Sequence, residues 1–287
     1  MAREWRRLLV APERLLASAG ALPLKPEEAH YLRRVLRLRP GDRLALVNGV
    51  GQLWEGRLQL ASGDGDPPLV ALEQSLEAPL EEAPPPMPRL ALAVALPRLD
   101  ADVLLRMGCE LGVDRFCPLR AARSVAAERL RPERRQAILR EAVEQCERLW
   151  LPRLDPEAEA LAWLGQTAPA GGHGADPATP IVKLLATTRR GPLPGLVELL
   201  EEEGTRLVKT LPLVESPLPQ EVWVAIGPEG GWTPDEEAAA AAGGWRPVSL
   251  GTAILRTSTA AVAAAVEMAA WRRGLEFSCG TSRPPSP

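Results

Sequence analysis

Residues 89–275 alternate short apolar runs with longer stretches of helical period, and this alternation limits the fold more than any other feature of the chain. "RLALAVALP", "RFCPL", "IVKLLATT", "EVWVAIG" and "PVSLG" have the length and composition of strands. Among them, "ADVLLRMGCELG" and "PERRQAILREAVEQCERL" repeat apolar residues at helical spacing, and the Ala-rich "TAAVAAAVEMAAWRRG" closes the series. Strands alternating with helices predict a parallel sheet covered by helices on both faces, an α/β fold. "GQTAPAGGHGADPATP", which carries His173, reads as a flexible surface loop within the series.

The chain before this region has a different pattern. "KPEEAHYLRRVLRL" predicts a helix with Ala29, Leu32, Val35 and Leu36 on one face and Arg33, Arg34 and Arg37 largely off it, ended by "RPGD". His30, inside that helix, and His173 are expected to be satisfied or solvated side chains. "RLALVNG" and "GQLWEGRLQL" form a hairpin pattern about Asn48-Gly49, and "LVALEQSLEA" a further strand. "PLEEAPPPMP" has neither period and reads as a linker. The expected division is a small β-rich domain at 1–78, a Pro-rich linker at 79–88, an α/β domain at 89–275 and a disordered tail at 276–287.

The charge is uneven. The net value is −3, yet residues 1–60 hold eleven basic residues against six acidic ones, a local +5 that leaves −8 for the remainder. Of 34 basic residues, 31 are Arg, which suits RNA through bidentate phosphate contacts and base stacking; high-GC coding produces the same bias. Cys109, Cys117, Cys146 and Cys279 lack CxxC spacing and only two histidines exist, so neither a zinc site nor a disulfide frame is expected. No apolar run approaches the ~18 residues of a membrane span, and "MAREWRRLLVAPERLL" lacks the features of a signal peptide. A cytoplasmic protein with reduced thiols is the expectation.

Chemistry concentrates in two glycine loops. "IGPEGGW" leaves the apolar run "EVWVA" through Gly227, Glu229, Gly230 and Gly231, with no phosphate-binding lysine and no G-x-G-x-x-G. In "TPDEE", Thr233 as N-cap, Pro234 at the first helical position and Glu236 make a capping box. Glu229 precedes that helix and has no such structural use. The next run, "PVSLG", leads into "GTAILRTSTAA" with Leu250, Gly251, Ile254, Leu255, Arg256 and Ser258. Two strands ending in such loops at one carboxyl edge predict a ligand crevice. Ile254 and Leu255 are candidates to wall an adenine, or to pack in the core; Arg256 to meet an anion or RNA, or to form a surface ion pair.

Taken together, "IGPEGGWTPDE" and "SLGTAILRTSTA" resemble the carboxyl-terminal signature of the SPOUT class of methyltransferases. They are most similar to the bacterial family that methylates N3 of a uridine in 16S ribosomal RNA. The similarity extends to "ELGVDRFCPLRAARSV", "EAVEQCERLWLP" and "AHYLRRVLRLRPGD", most of the chain. It implies a PUA-like RNA-binding β-barrel followed by a knotted α/β domain that binds S-adenosyl-L-methionine. It also implies a homodimer, with 16S rRNA in the small ribosomal subunit as partner. That cofactor carries no phosphate, which accounts for the missing lysine.

On this resemblance, Arg256 stabilises the uracil anion that forms as N3 loses its proton, and Ser258 contacts the base or caps the last helix. Relatives commonly carry an acidic residue at the position of Ser258 and often a lysine at that of Met107. Arg123 and Arg148 are candidate RNA contacts beside Arg33, Arg34 and Arg37. Two other classes stay open at this point. A nucleotide-binding dehydrogenase is disfavoured by the missing fingerprint, and a non-catalytic RNA-binding protein is kept alive by the departures at Met107 and Ser258.

Overall fold

The computed structural model describes residues 5–60, 67–125, 131–166, 181–188, 191–210 and 221–278. His173, most of its loop, and Cys279 lie outside the described residues. The chain divides into two units. One holds residues 1–85 together with 140–151, and the other nearly all the remainder.

In the first unit, strands β1 (Arg7–Leu9), β2 (Ala21–Pro23), β3 (Arg43–Val47), β4 (Gln52–Gln59), β5 (Leu69–Leu72) and β6 (Glu81–Glu82) form one sheet. Its order is β1-β3-β4-β5-β2, with β6 also paired to β4; only the β1–β3 pairing is parallel. The β3–β4 hairpin turns where the sequence predicts. The Asn48 side-chain oxygen accepts from Val50 N at 2.9 Å and Gln52 N at 3.1 Å, the backbone-mimicking bond that makes Asn a turn residue. Residues 149–151 join this unit because Leu151 N donates to Gly49 O, Gly51 N to Leu149 O, and Trp150 Nε1 to Ala83 O. No local sequence cue signals that return.

Helix α1 (Pro12–Ala17) precedes β2, and the predicted arginine-rich helix follows it with a different geometry. Helix α2 (Pro26–His30) continues as a π-helical turn over Tyr31–Val35. A π turn accommodates more residues than an α turn, which rotates every later position. Leu32 is fully buried and Leu36 packs partly against the core, but Val35, expected on the apolar face, is 59% exposed. Arg33, Arg34 and Arg37 are exposed, and Arg37 ends the turn at φ 59°.

In the second unit, strands β7 (Arg89–Val94), β8 (Arg115–Arg120), β9 (Arg153–Leu154), β10 (Ala158–Glu159), β11 (Ile181–Ala186), β12 (Glu221–Ile226) and β13 (Arg246–Val248) form the predicted parallel sheet. The order is β10-β8-β7-β12-β11-β13, with β9 beside β8. β12 is therefore inserted between β7 and β11, and β13 lies beyond β11. Helices α3 (Ala101–Glu110), α5 (Ala160–Leu164), α6 (Leu196–Thr210), α7 (Pro234–Ala242) and α8 (Thr257–Ser278) cover the sheet. α3 and α6 pack against α8, and α5 packs against α7. Helix α4 (Pro132–Cys146) contributes its last turns to the first unit. α8 runs three residues into the segment expected to be a disordered tail; residues 279–287 lie outside the described ones.

The α5/α7 side shows why the strand sequences alternate. Ala91, Ala93, Ala95 and Ala225 face it, and their small volume admits Trp163, Trp223 and Trp245. Trp163 meets the Trp223 ring edge-on at 5.3 Å and Trp245 at 5.5 Å, a favoured aromatic spacing. Large and small residues thus interdigitate across the layer. Among the described residues no helix is long and apolar enough to cross a membrane.

Candidate cofactor site

The parallel register brings the carboxyl ends of β12, β11 and β13 to one edge, with β11 in the middle. A cavity of about 650 Å³ lies there, within the ~300–1,000 Å³ usual for small-molecule sites. All eight residues predicted to hold the cofactor line it: Gly227, Glu229, Gly230 and Gly231 after β12, and Leu250, Gly251, Ile254 and Leu255 after β13. Ile254 is 66% exposed, so its apolar surface is presented rather than packed into the core.

The first loop is held in several ways. Gly231 N donates to Pro228 O at 2.8 Å, closing a turn with Glu229 and Gly230 at its tip. Trp232 is buried and its indole Nε1 donates to Ala186 O at 3.0 Å, tying the loop to the end of β11. Thr257 Oγ1 donates to Gly227 O at 2.9 Å, which fixes the start of α8 against the same loop. The capping box forms as predicted: Glu236 N donates to Thr233 Oγ1 at 3.2 Å, and Thr233 N to Glu236 Oε2 at 2.8 Å.

The second loop depends on one backbone angle. Gly251 has φ 125°, which a residue with a Cβ rarely adopts. Ser249 Oγ accepts from Gly251 N at 3.2 Å and donates to Gly251 O at 3.0 Å, so the turn closes on itself.

Sequence reading missed the contribution of β11. Ala186, Thr187 and Thr188 line the cavity because β11 lies between the two glycine-loop strands. Thr187 Oγ1 donates to Glu237 Oε1 at 2.8 Å, and Glu237 is a half-buried carboxylate at the cavity wall. "ATT" after a strand is too common a string to have flagged them. Lys183, also on β11, takes no part: its ammonium donates to Gly243 O at 2.8 Å and Gln166 O at 3.1 Å. Burial holds its pKa below the ordinary lysine range.

The candidate catalytic and RNA-binding residues are placed differently. Arg256 is exposed and immediately precedes α8, between Leu255 and Thr257, which both line the cavity. Its carbonyl accepts from Ala260 N at 2.9 Å, so Arg256 occupies the cap position and Ser258 lies inside the first turn. Arg33, Arg34, Arg37 and Arg148 belong to the first unit, whereas Arg123 lines the cavity in the second. Met107 is part-exposed on α3.

The cavity fits S-adenosylmethionine in chemical terms. Backbone from both glycine loops and apolar side chains such as Ile226 and Leu255 suit an adenine, and the Glu229 and Glu237 carboxylates suit a cation. Among the described residues, Arg123 is the one cation that lines the cavity.

Comparison with known proteins gives a consistent result. Residues 84–269 match the model of an RNA methyltransferase domain, and residues 24–65 that of an RNA methyltransferase PUA domain. Ribosomal RNA small subunit methyltransferase E of Synechocystis sp. is 37% identical, over 91% of this chain and 76% of the relative. The Mycobacterium tuberculosis protein of that name is 30% identical over 83% of this chain and 82% of its own. The crystal structure of the Neisseria gonorrhoeae enzyme of that name, bound to S-adenosyl methionine, matches with a TM-score of 0.67 and 25% identity. That match covers 92% of this chain and 97% of the other.

Proposed function

Because the chain belongs to the ribosomal RNA small subunit methyltransferase E family, we propose that it methylates N3 of a uridine in 16S ribosomal RNA, using S-adenosyl-L-methionine. The observation that carries this assignment is the cavity. Three strand ends and two glycine loops enclose a ligand-sized space whose described lining includes backbone, apolar side chains, the Glu229 and Glu237 carboxylates and Arg123, with no lysine among the described residues that line it. Such a wall suits a cationic nucleoside and offers little to a polyphosphate.

S-adenosylmethionine supplies an electrophilic methyl group on its sulfonium. The chain's own residues bind, orient and balance charge. The loops at 227–231 and 250–255 would hold the nucleoside, and fixing its methyl group relative to the base would itself lower the barrier. The N3 proton passes to solvent, negative charge spreads over uracil O2 and O4 as it leaves, and the N3–CH3 bond forms as the S–CH3 bond breaks, its electron pair staying on sulfur so that S-adenosylhomocysteine is the leaving group. Arg256, a permanent cation beside the cavity, stabilises this charge, and Ser258 hydrogen-bonds the base.

Ribosomal RNA is the substrate class. Arg33, Arg34, Arg37 and Arg148 of the first unit contact its phosphates, and the uridine is read unpaired within the assembled small subunit. The functional division is 1–78 for RNA binding and 89–275 for transfer, the latter carrying a trefoil knot. The protein acts as a homodimer in the cytoplasm.

The test is incubation of purified protein with methyl-labelled S-adenosylmethionine and small subunits lacking the modification, followed by nucleoside analysis. Label in N3-methyluridine is the expected result. Label in another nucleoside, or none despite cofactor binding, would overturn the assignment in favour of a different RNA target or a binding-only role.

A further inference from the structure

Arg123, taken from the sequence as an RNA contact, makes its contacts elsewhere. Its Nη1 donates to Gly230 O at 3.1 Å and to Trp232 O at 3.1 Å. Those carbonyls flank Gly231 in the turn that forms one wall of the cavity. We propose that Arg123 is a positioning residue for the cofactor: its guanidinium holds the Gly227–Trp232 loop in the shape that makes the wall, and it does not contact RNA phosphate. The identity of the ligand rests on the function proposed above.

Two further observations support the brace. Its neighbour Ala122 donates its N–H to Glu236 Oε1 at 2.8 Å, and the other oxygen of Glu236 accepts from Thr233 N. Glu236 is 2% exposed. One buried carboxylate therefore caps α7 and anchors the segment after β8 to it. The segment is itself stiffened, because Ser124 N donates to Ala121 O at 3.0 Å and Ala121 N to Ser124 Oγ at 3.2 Å.

Close packing completes the case. A Cβ at residue 230 would lie 3.0 Å from Arg123 Cβ and 3.4 Å from its Cδ. The stem of the exposed arginine thus lies against the glycine, and a side chain at 230 would have to displace it. Charge-assisted bonds to two carbonyls are stronger than neutral ones, and neither carbonyl is supplied with another donor by the turn's own 228–231 bond. Without the guanidinium both carbonyls face solvent and the wall can open.

Calorimetric titration of S-adenosylmethionine into wild type, Arg123→Ala and Arg123→Lys, without RNA, tests this. The expected result is about tenfold weaker binding for Arg123→Ala, equivalent to ~1.4 kcal/mol, with partial recovery for Arg123→Lys. In turnover, KM for the cofactor rises while kcat at saturating cofactor stays within about twofold. The salt dependence of RNA binding keeps its slope, whereas loss of a phosphate contact would lower it by about one.

Unchanged cofactor affinity in a folded Arg123→Ala protein, or a reduced salt slope, would overturn the proposal. Should Arg123→Ala fail to fold, Gly230→Ala keeps the arginine but displaces its stem. It is expected to weaken the cofactor in the same direction, and wild-type affinity there would be equally contrary. Wild-type protein that binds no cofactor would instead refute the function proposed above.

Discussion

The two ends of the parallel sheet are built on opposite principles. At the carboxyl end, β11, β12 and β13 stop and leave backbone groups of two glycine loops around an open cavity, with a half-exposed carboxylate at its wall. At the amino end, the first residues of β8 and β12 close the sheet with charge. Arg115 Nε donates to Asp155 Oδ2 at 2.7 Å, and its Nη1 donates to both Glu221 oxygens at 3.1 Å. Its guanidinium also sits 4.8 Å from the Trp223 ring, whose Nε1 donates to Glu221 Oε2. Burial opposes the Arg115 charge, but the two carboxylates outweigh it and raise its pKa. One end keeps polar groups open to a cavity; the other pairs the buried Arg115 with two buried carboxylates.

If that division is real, damage to the two ends has different consequences. Arg115→Met leaves Glu221 buried with its cation gone and Asp155 with only the part-exposed Arg153, at a cost of about 3–5 kcal/mol. Urea unfolding is expected to show that loss, while cofactor affinity of the folded fraction stays near wild type. A large change in affinity would break the separation between the ends.

Gly251→Val acts at the other end. A β-branched residue at φ 125° carries about 1–3 kcal/mol of backbone strain. The loop relieves it by changing shape, so titration calorimetry is expected to show roughly tenfold weaker cofactor binding, with a small shift in the unfolding midpoint. A shift as large as that of Arg115→Met would mean that the glycine loops also carry the fold.

Glu237→Gln is a gentler probe of charge in the cavity. It removes the carboxylate that Thr187 holds but keeps the hydrogen bond. Affinity for cationic S-adenosylmethionine is expected to fall by roughly two- to fivefold, the range of a half-exposed ion pair. Affinity for S-adenosylhomocysteine, whose sulfur is neutral, is expected to hold. Equal losses for both would place Glu237 away from the sulfonium.

The smallest effect concerns Cys117, two residues along β8 from Arg115. Burial, aided by the Asp155 charge, pushes its thiol from 9.0 up to about 12. Below pH 9 the folded and unfolded chains both keep the proton, and the stability that Cys117 supports is fully present. As pH climbs from 9 through 12 the unfolded chain releases it first, so that stability is lost. Cys117→Ala is expected to flatten the alkaline fall in the urea midpoint, and an unchanged slope would contradict the burial argument.

What the sequence made legible was local. The capping box of Thr233 and Glu236, the Asn48 turn and the glycine loops each carry their instructions within a few residues. So does the strand–helix alternation. Pairing across the chain is a different kind of information. Insertion of β12 between β7 and β11 brings Thr187 to the cavity, and no short string encodes that neighbour. The bonds of Arg123 to the first glycine loop were illegible for the same reason: its partners lie more than a hundred residues away. Val35 was misplaced because the 3.6-residue period fails inside a π turn.

The central claim is that cofactor binding belongs to the carboxyl end alone, and hydrogen exchange with and without S-adenosylmethionine tests it most directly. The account predicts slowed exchange at 186–188, 227–232 and 249–257, with the amino-end residues around Arg115, Asp155 and Glu221 unchanged. Protection centred on the amino end, or none at the glycine loops at saturating cofactor, would contradict it.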